Sequence, residues 1–364
     1  MAMSHSTSPP TSTAQIRFLE QIQRILSEGQ FTATYKFALL HALADLSVEC
    51  GPTSAGAALT LTVSSIADRF VELYLPQARP YSNRGVTEVL EQNRGRPAAV
   101  VTALKEPAQT YGPTSATLQP DRVPPKAIRR INETIRDQPL WKLQTVAGGE
   151  RLDFLYENLD DKTLREITLR PGVAYCFRAF HPLIISMVRQ QWERWIRKQN
   201  PRMLDEAADL HAFLFGTDRQ DLSGFRDALL EVHGPRCFYR ETKLTDVVEV
   251  DHFVPWSRYP MDLGHNLVPA SRKANSQKAD LLPGMSYLER WLSLCIDRRK
   301  DLEVAFNGRG LRHDLPASLA IVEWSYGAVE RSGGQVWDGD KNLVPLHPGW
   351  RDRVTQARRD LDLA

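Results

Sequence analysis

The run Glu249-Val250-Asp251-His252-Phe253-Val254-Pro255-Trp256-Ser257, followed by Gly264-His265-Asn266-Leu267-Val268 and Lys273-Ala274-Asn275-Ser276-Gln277-Lys278-Ala279-Asp280, constrains this chain more than any other feature. Val247-Val248-Glu249-Val250 is β-branched and apolar enough to predict a strand ending at Asp251. Neighbours on a strand point to opposite faces, so Asp251 and His252 diverge unless the strand ends or twists there. Pro255, two residues past Phe253, argues that it ends. From Ser271 onward Lys, Ala, Gln and Ala predict a helix, with Pro283 as its stop. On that helix Asn275 and Lys278 lie three apart and share a face, while Asp280 faces elsewhere.

These residue types suit cleavage of a phosphodiester, which needs a base to activate water, a cation to take charge off the phosphate, and a geometry that aligns them. His252 is a suitable base, because an imidazole titrates near neutral pH. Asp251 supplies one oxygen ligand and Asn275 a neutral second, a set that suits a hard ion such as Mg²⁺. Lys278 would then point at the same phosphate. The whole pattern resembles the HNH endonuclease module, the ββα-metal (His-Me finger) site of homing endonucleases, over residues 237–283. The resemblance implies His252 as general base, Asp251 and Asn275 as metal ligands, Asn266 as the brace of the loop around the base, and Lys278 as a basic residue near the phosphate. It implies one divalent cation, Mg²⁺ or Mn²⁺, and products with a 5′-phosphate and a 3′-hydroxyl. A lone Asp-His pair would carry little, but this combination is far more specific. His265 reads as a loop histidine and Trp256 as packing under the loop.

One departure from the family pattern bears on cofactors. Many HNH modules carry two Cys-x-x-Cys pairs around a structural zinc. Here Cys237 stands where the first pair would begin, but Arg240 takes the partner position, and Ser271 and Ala274 replace the second pair. Cys50, Cys176 and Cys295 lack ligand spacing, so no structural zinc is expected.

At 364 residues the chain is too long for this module alone, and two or three domains are expected. Net charge of +2 puts nucleic-acid binding on local patches rather than a global field. Four unpatterned cysteines favour a reducing cytoplasm. No apolar run reaches membrane-spanning length. Met1–Thr13, rich in Ser, Thr and Pro, reads as a disordered tail.

A mixed domain is expected over 14–232. Ile16, Leu19, Ile22 and Leu26 predict a helix closed by Gly29, followed by helices over 34–49 and 66–75. The Pro- and Gly-containing stretch 93–125 predicts loops. Trp141–Val146 and Arg151–Tyr156 predict a hairpin around Gly148-Gly149, and Thr163–Arg170 and Val173–Phe177 two further strands. Thr62–Phe70 faintly suggests the start of a helix-turn-helix. The helix opened by Pro182 carries Trp192 and Trp195 along one stripe and Arg189, Arg194, Arg197 and Lys198 elsewhere. It is either a DNA-facing surface or a core helix with a solvated basic face. Beyond residue 283 come a Trp291 helix, another over 317–329, and a tail with Trp337 and Trp350 as packing anchors.

The expected fold is α+β: a ββα-metal module over 233–283, embedded between a mainly helical N-terminal domain and a helical C-terminal extension over 284–364. The expected function is cleavage of DNA, with the flanking domains choosing the target or a partner. By resemblance this fits bacterial restriction or phage defence, with DNA, self-association or another defence protein as partners and no membrane. The alternatives are RNA cleavage and a non-cutting nucleic-acid-binding or assembly subunit.

Overall fold

The computed structural model describes residues 8–51, 54–83, 85–95, 97–111, 123–157, 160–204, 209–216, 222–245 and 248–362. It is a mixed α+β chain whose described residues fall into two compact units, one up to residue 216 and the other from residue 222. None of its described helices is long and apolar enough to cross a membrane.

The first unit is built around α2 (Tyr35–Glu49), whose residues are all buried. Apolar side chains on every side of it permit that placement, and its buried polar residues are paired, among them Lys36 with Thr145 O and His41 with Asp45. Around it lie α1 (Ser12–Glu28), α3 (Val63–Tyr74), α4 (Ala99–Tyr111), α5 (Pro125–Asp137), α6 (Pro139–Lys142), α7 (Val173–Ala179), α8 (His181–Gln199) and α9 (Leu210–Phe215). Strand β1 (Leu59–Thr62) pairs antiparallel with β4 (Glu166–Leu169), and β2 (Tyr81–Asn83) with β3 (Val86–Glu88).

Helix α1 begins at Ser12, capped by Thr11, so the expected tail is helical from there; residues 1–7 lie outside the described residues. The stretch read as loops contains α4, hidden in the sequence by Pro107 inside the helix. The expected hairpin at Gly148-Gly149 shrinks to a single Thr145–Arg151 bridge. The Gln144 amide replaces the rest of its ladder, accepting from Leu155 N at 2.7 Å and donating to Tyr156 O at 2.9 Å. Val173–Phe177, read as a strand, is α7: Gly172 turns the chain at φ 81°, and Val173, Ala174, Cys176 and Phe177 are buried on the new helix. Thr62 caps α3 through Ser65 N at 3.0 Å, and the apolar face of α3 is buried.

Helix α8 buries one stripe in the unit, while Arg194 and Lys198 stay exposed. Ile184, Val188, Trp192 and Ile196 are buried, and Arg197 pairs with Glu193. Arg189 turns inward: its Nε donates to His41 Nε2 at 3.1 Å, and its guanidinium lies 5.1 Å from the Phe215 ring centroid. His41 Nδ1 meets Asp45 Oδ2 at 2.9 Å, and His181 Nε2 meets Asp45 Oδ1 at 2.8 Å. Burial alone would raise Asp45, but its histidine partners hold it well below the usual carboxylate range.

The second unit opens with α10 (Ser223–His233), placed with the preceding domain on sequence grounds. Strand β5 (Glu249–His252) pairs antiparallel with β6 (Leu267–Ala270), setting Asp251 opposite Val268 and His252 opposite Leu267. Helix α11 (Arg272–Lys278) follows, capped by Ser271 through Ala274 N. Ala279 then ends it at φ 46°, in the left-handed region. Next come α12 (Met285–Asp297), α13 (Arg299–Arg309), α14 (Leu315–Ser332), the hairpin β7 (Gln335–Trp337) with β8 (Leu343–Pro345), and α15 (Trp350–Asp360). Phe225 and Leu229 from α10, Leu302 and Phe306 from α13, and Leu267 from β6 form one core, with Val250 of β5 packed against it. The later segments wrap the module: Trp291 stacks on Phe253 at 5.0 Å, and Trp337 bridges Pro283. Trp291, Trp337 and Trp350 are buried anchors.

Candidate active site

The two-residue period of β5 sorts its side chains. Glu249 and Asp251 project toward α11, while Val250 packs on the apolar core and His252 falls on that second face. On the first face two pairs lie side by side. Asn275 Nδ2 donates to Glu249 Oε2 at 2.8 Å, and one helical turn on, Lys278 Nζ sits 3.0 Å from Asp251 Oδ2. The two pairs thus place Asp251 and Asn275 on the facing sides of β5 and α11. Tyr239 OH also donates to Asp251 Oδ2, at 2.6 Å.

Asp251 therefore spends one oxygen on the protein and keeps the other. Among the described residues neither Asp251 Oδ1 nor Asn275 Oδ1 has a protein partner, and neither is a fully buried orphan. A carboxylate oxygen and a neutral amide oxygen, each held by its sister atom, fit a hard divalent cation that keeps several waters.

His252 is almost wholly buried, and its Nε2 lies 2.7 Å from Asp262 Oδ1. Trp256 packs against the imidazole at 5.3 Å between ring centroids. The other ring nitrogen, Nδ1, has no protein partner among the described residues. Asn266 is also buried, and its amide pairs with the backbone of Val254: Val254 N donates to Oδ1 at 2.8 Å, and Nδ2 donates to Val254 O at 3.0 Å. It thus braces the turn that follows the histidine.

Lys278 stands differently from its expected place at the phosphate. It is fully buried, donating to His252 O at 2.7 Å and pairing with Asp251, and burial lowers its pKa despite that partner. Lys278 is the last residue of α11, and Ala279 at φ 46° turns the chain immediately after it. It is an internal counterion that ties Asp251 to the His252 backbone.

Three residues of this arrangement escaped the sequence reading: Tyr239, Glu249 and Asp262. Glu249 could have been found, since it stands two places before Asp251 on the same strand face. Asp262 sits in an irregular segment ten positions past His252 with no periodicity to point at it. Where cysteine pairs would hold zinc, Cys237 Sγ accepts from Ser271 N at 3.4 Å, and Arg240 joins Gln277 of α11 to Asp340 beyond β7. His265 is buried between Phe306 and His313, and neither of its ring nitrogens has a partner among the described residues.

Residues 15–214, more than half of the chain, match the family model described as a domain of unknown function (DUF8808), and residues 239–284 match that described as HNH endonuclease. No curated protein and no solved structure matches. The HNH match covers β5, β6, α11 and every site residue named above. It supports a nuclease, among the hydrolases, and with it a nucleic-acid substrate.

Proposed function

We propose that this chain, which belongs to the family described as a domain of unknown function (DUF8808) and carries an HNH endonuclease module, is a divalent-metal-dependent endonuclease that hydrolyses DNA with His252 as general base. One observation carries the reading: Asp251, Asn275 and His252 are each held through one atom and keep another free. In this reading β5, β6 and α11 form a ββα-metal core, and Asp251 and Asn275 would hold Mg²⁺ or Mn²⁺. The bound cation supplies charge to offset the phosphate as the bond breaks.

His252 takes a proton from the attacking water, whose oxygen bonds to phosphorus as the bond to the 3′-oxygen breaks. Asn266 fixes the backbone beyond the histidine, so that the ring meets the water in one orientation. Glu249 turns the Asn275 amide so that its oxygen faces outward. The first unit then selects the target or a partner. A setting in restriction or phage defence rests on the resemblance alone.

The test is nicking of supercoiled plasmid by the full chain with Mg²⁺, with and without EDTA, beside His252→Ala. Metal-dependent nicking absent from the variant is the expected result. Cleavage of RNA but not plasmid would move the substrate, and binding without cleavage of either would make the chain a non-cutting subunit.

A further inference from the structure

The loop between β5 and β6 places a carboxylate where a general-base histidine needs one. Asp262 and His252 are both more than nine-tenths buried, and Nε2 lies 2.7 Å from Oδ1. No other side-chain partner of Asp262 is present among the described residues. A buried carboxylate with one hydrogen bond is costly to keep, so its effect is concentrated on that ring. The segment is pinned on its far side: Leu263 is buried, Gly264 N donates to Arg312 O at 2.9 Å, and Asn266 N donates to Leu263 O at 2.8 Å. Trp256 closes the ring from another side.

An ionised carboxylate only accepts hydrogen bonds, so a ring nitrogen at this distance must carry the proton. That leaves Nδ1, the nitrogen without a protein partner, with its lone pair. We infer that Asp262 is a positioning residue that holds His252 as the Nε2–H tautomer and thereby assigns Nδ1 as the atom that takes the proton from water. The inference rests on the nuclease reading for its consequence in rate, but not for the tautomer. The water oxygen bonds to phosphorus, its proton goes to Nδ1, the bond to the leaving oxygen breaks, and that oxygen is protonated from solvent. Nε2–H, hydrogen-bonded to Asp262 throughout, then carries the imidazolium charge toward the carboxylate.

The test begins with the intact chain labelled with ¹⁵N-histidine at alkaline pH, with His252 assigned by the loss of its signals in His252→Ala. The expected spectrum is that of an Nε2–H imidazole; an Nδ1–H pattern overturns the inference and needs no active enzyme. The second arm is Asp262→Asn, nearly isosteric, whose amide can donate to Nε2 and let the proton move to Nδ1. Its kcat should fall roughly 10- to 100-fold with KM unchanged, and the His252 spectrum should change tautomer. Wild-type kcat in Asp262→Asn, beside an inactive His252→Ala, sinks the inference alone. A His252→Ala that still cuts at the wild-type rate sinks the nuclease reading instead. Should Asp262→Asn fail to fold, the wild-type spectrum decides.

Discussion

Each unit contains a buried cluster of histidine and aspartate, and the two are wired in opposite ways. In the first unit every polar atom of the Asp45 carboxylate is used, one oxygen by His41 and one by His181, and the second nitrogen of His41 accepts from Arg189. In the second unit Asp251, Asn275 and His252 are each satisfied through a single atom. Residue types alone would not separate the clusters. The count of spare lone pairs does, because a group whose hydrogen bonds are complete is a strut, whereas a group held in place with an atom to spare can meet a ligand or a proton.

The sharpest way to break this comparison is to remove the base. His252→Ala should lower cleavage by about 10²- to 10⁴-fold and, because it strips the buried Asp262 of its hydrogen bond, also lower the melting temperature while leaving the chain folded, measured on one preparation by plasmid nicking and thermal unfolding. Loss of activity through unfolding would erase the distinction between strut and reagent.

The buried pairings of both units should answer in stability. Asp45→Ala leaves Arg189 without its nearby buried carboxylate and should cost about 3–5 kcal/mol in denaturant unfolding. Lys278→Ala strips Asp251 of its ammonium and should cost a similar amount, while the salt dependence of DNA binding keeps its slope. A slope lower by about one unit would return Lys278 to the phosphate.

A smaller effect belongs to His265. Burial first, then His313 and Arg299, push it down from 6.5 to about 3. The unfolded chain therefore takes up a proton that the fold refuses, so the stability due to this group is complete above pH 6.5 and is lost as pH falls through that window toward 3. His265→Phe removes no hydrogen bond and should flatten that acid limb in urea midpoints compared at neutral and acid pH. An unaltered limb would assign the acid loss to other groups, His233 among them, held down to about 4 by burial and Arg298. Smallest of all, Ala279→Gly should raise unfolding free energy by about 1 kcal/mol, because a glycine meets no penalty at φ 46°.

Much of the site was legible because its chemistry is local. Asp251 and His252 are adjacent, Asn266 stands immediately before β6, and Asn275 and Lys278 are one helical turn apart. What stayed hidden depends on tertiary contact. Asp262 acquires meaning only when its loop folds back on His252, and Lys278 looks like a surface cation until α11 is seen to end immediately behind it. In the first unit α1, α2, α3 and α8 followed from apolar periodicity. By contrast α7 shares its β-branched and aromatic composition with strands, and only Gly172 and burial of one helical face decide the matter.

The buried ammonium of Lys278 has a consequence for how such a protein can be handled. Glu249 and Asp251 bring two carboxylates to one strand face, and Lys278 brings an amino group that the fold sets 3.0 Å from Asp251. The inner face thus carries its own partner for that carboxylate, tethered by a covalent stem and indifferent to chelators. Stripping divalent cations should silence the chain reversibly without collapsing it, and re-addition should restore activity at the speed of diffusion rather than of refolding.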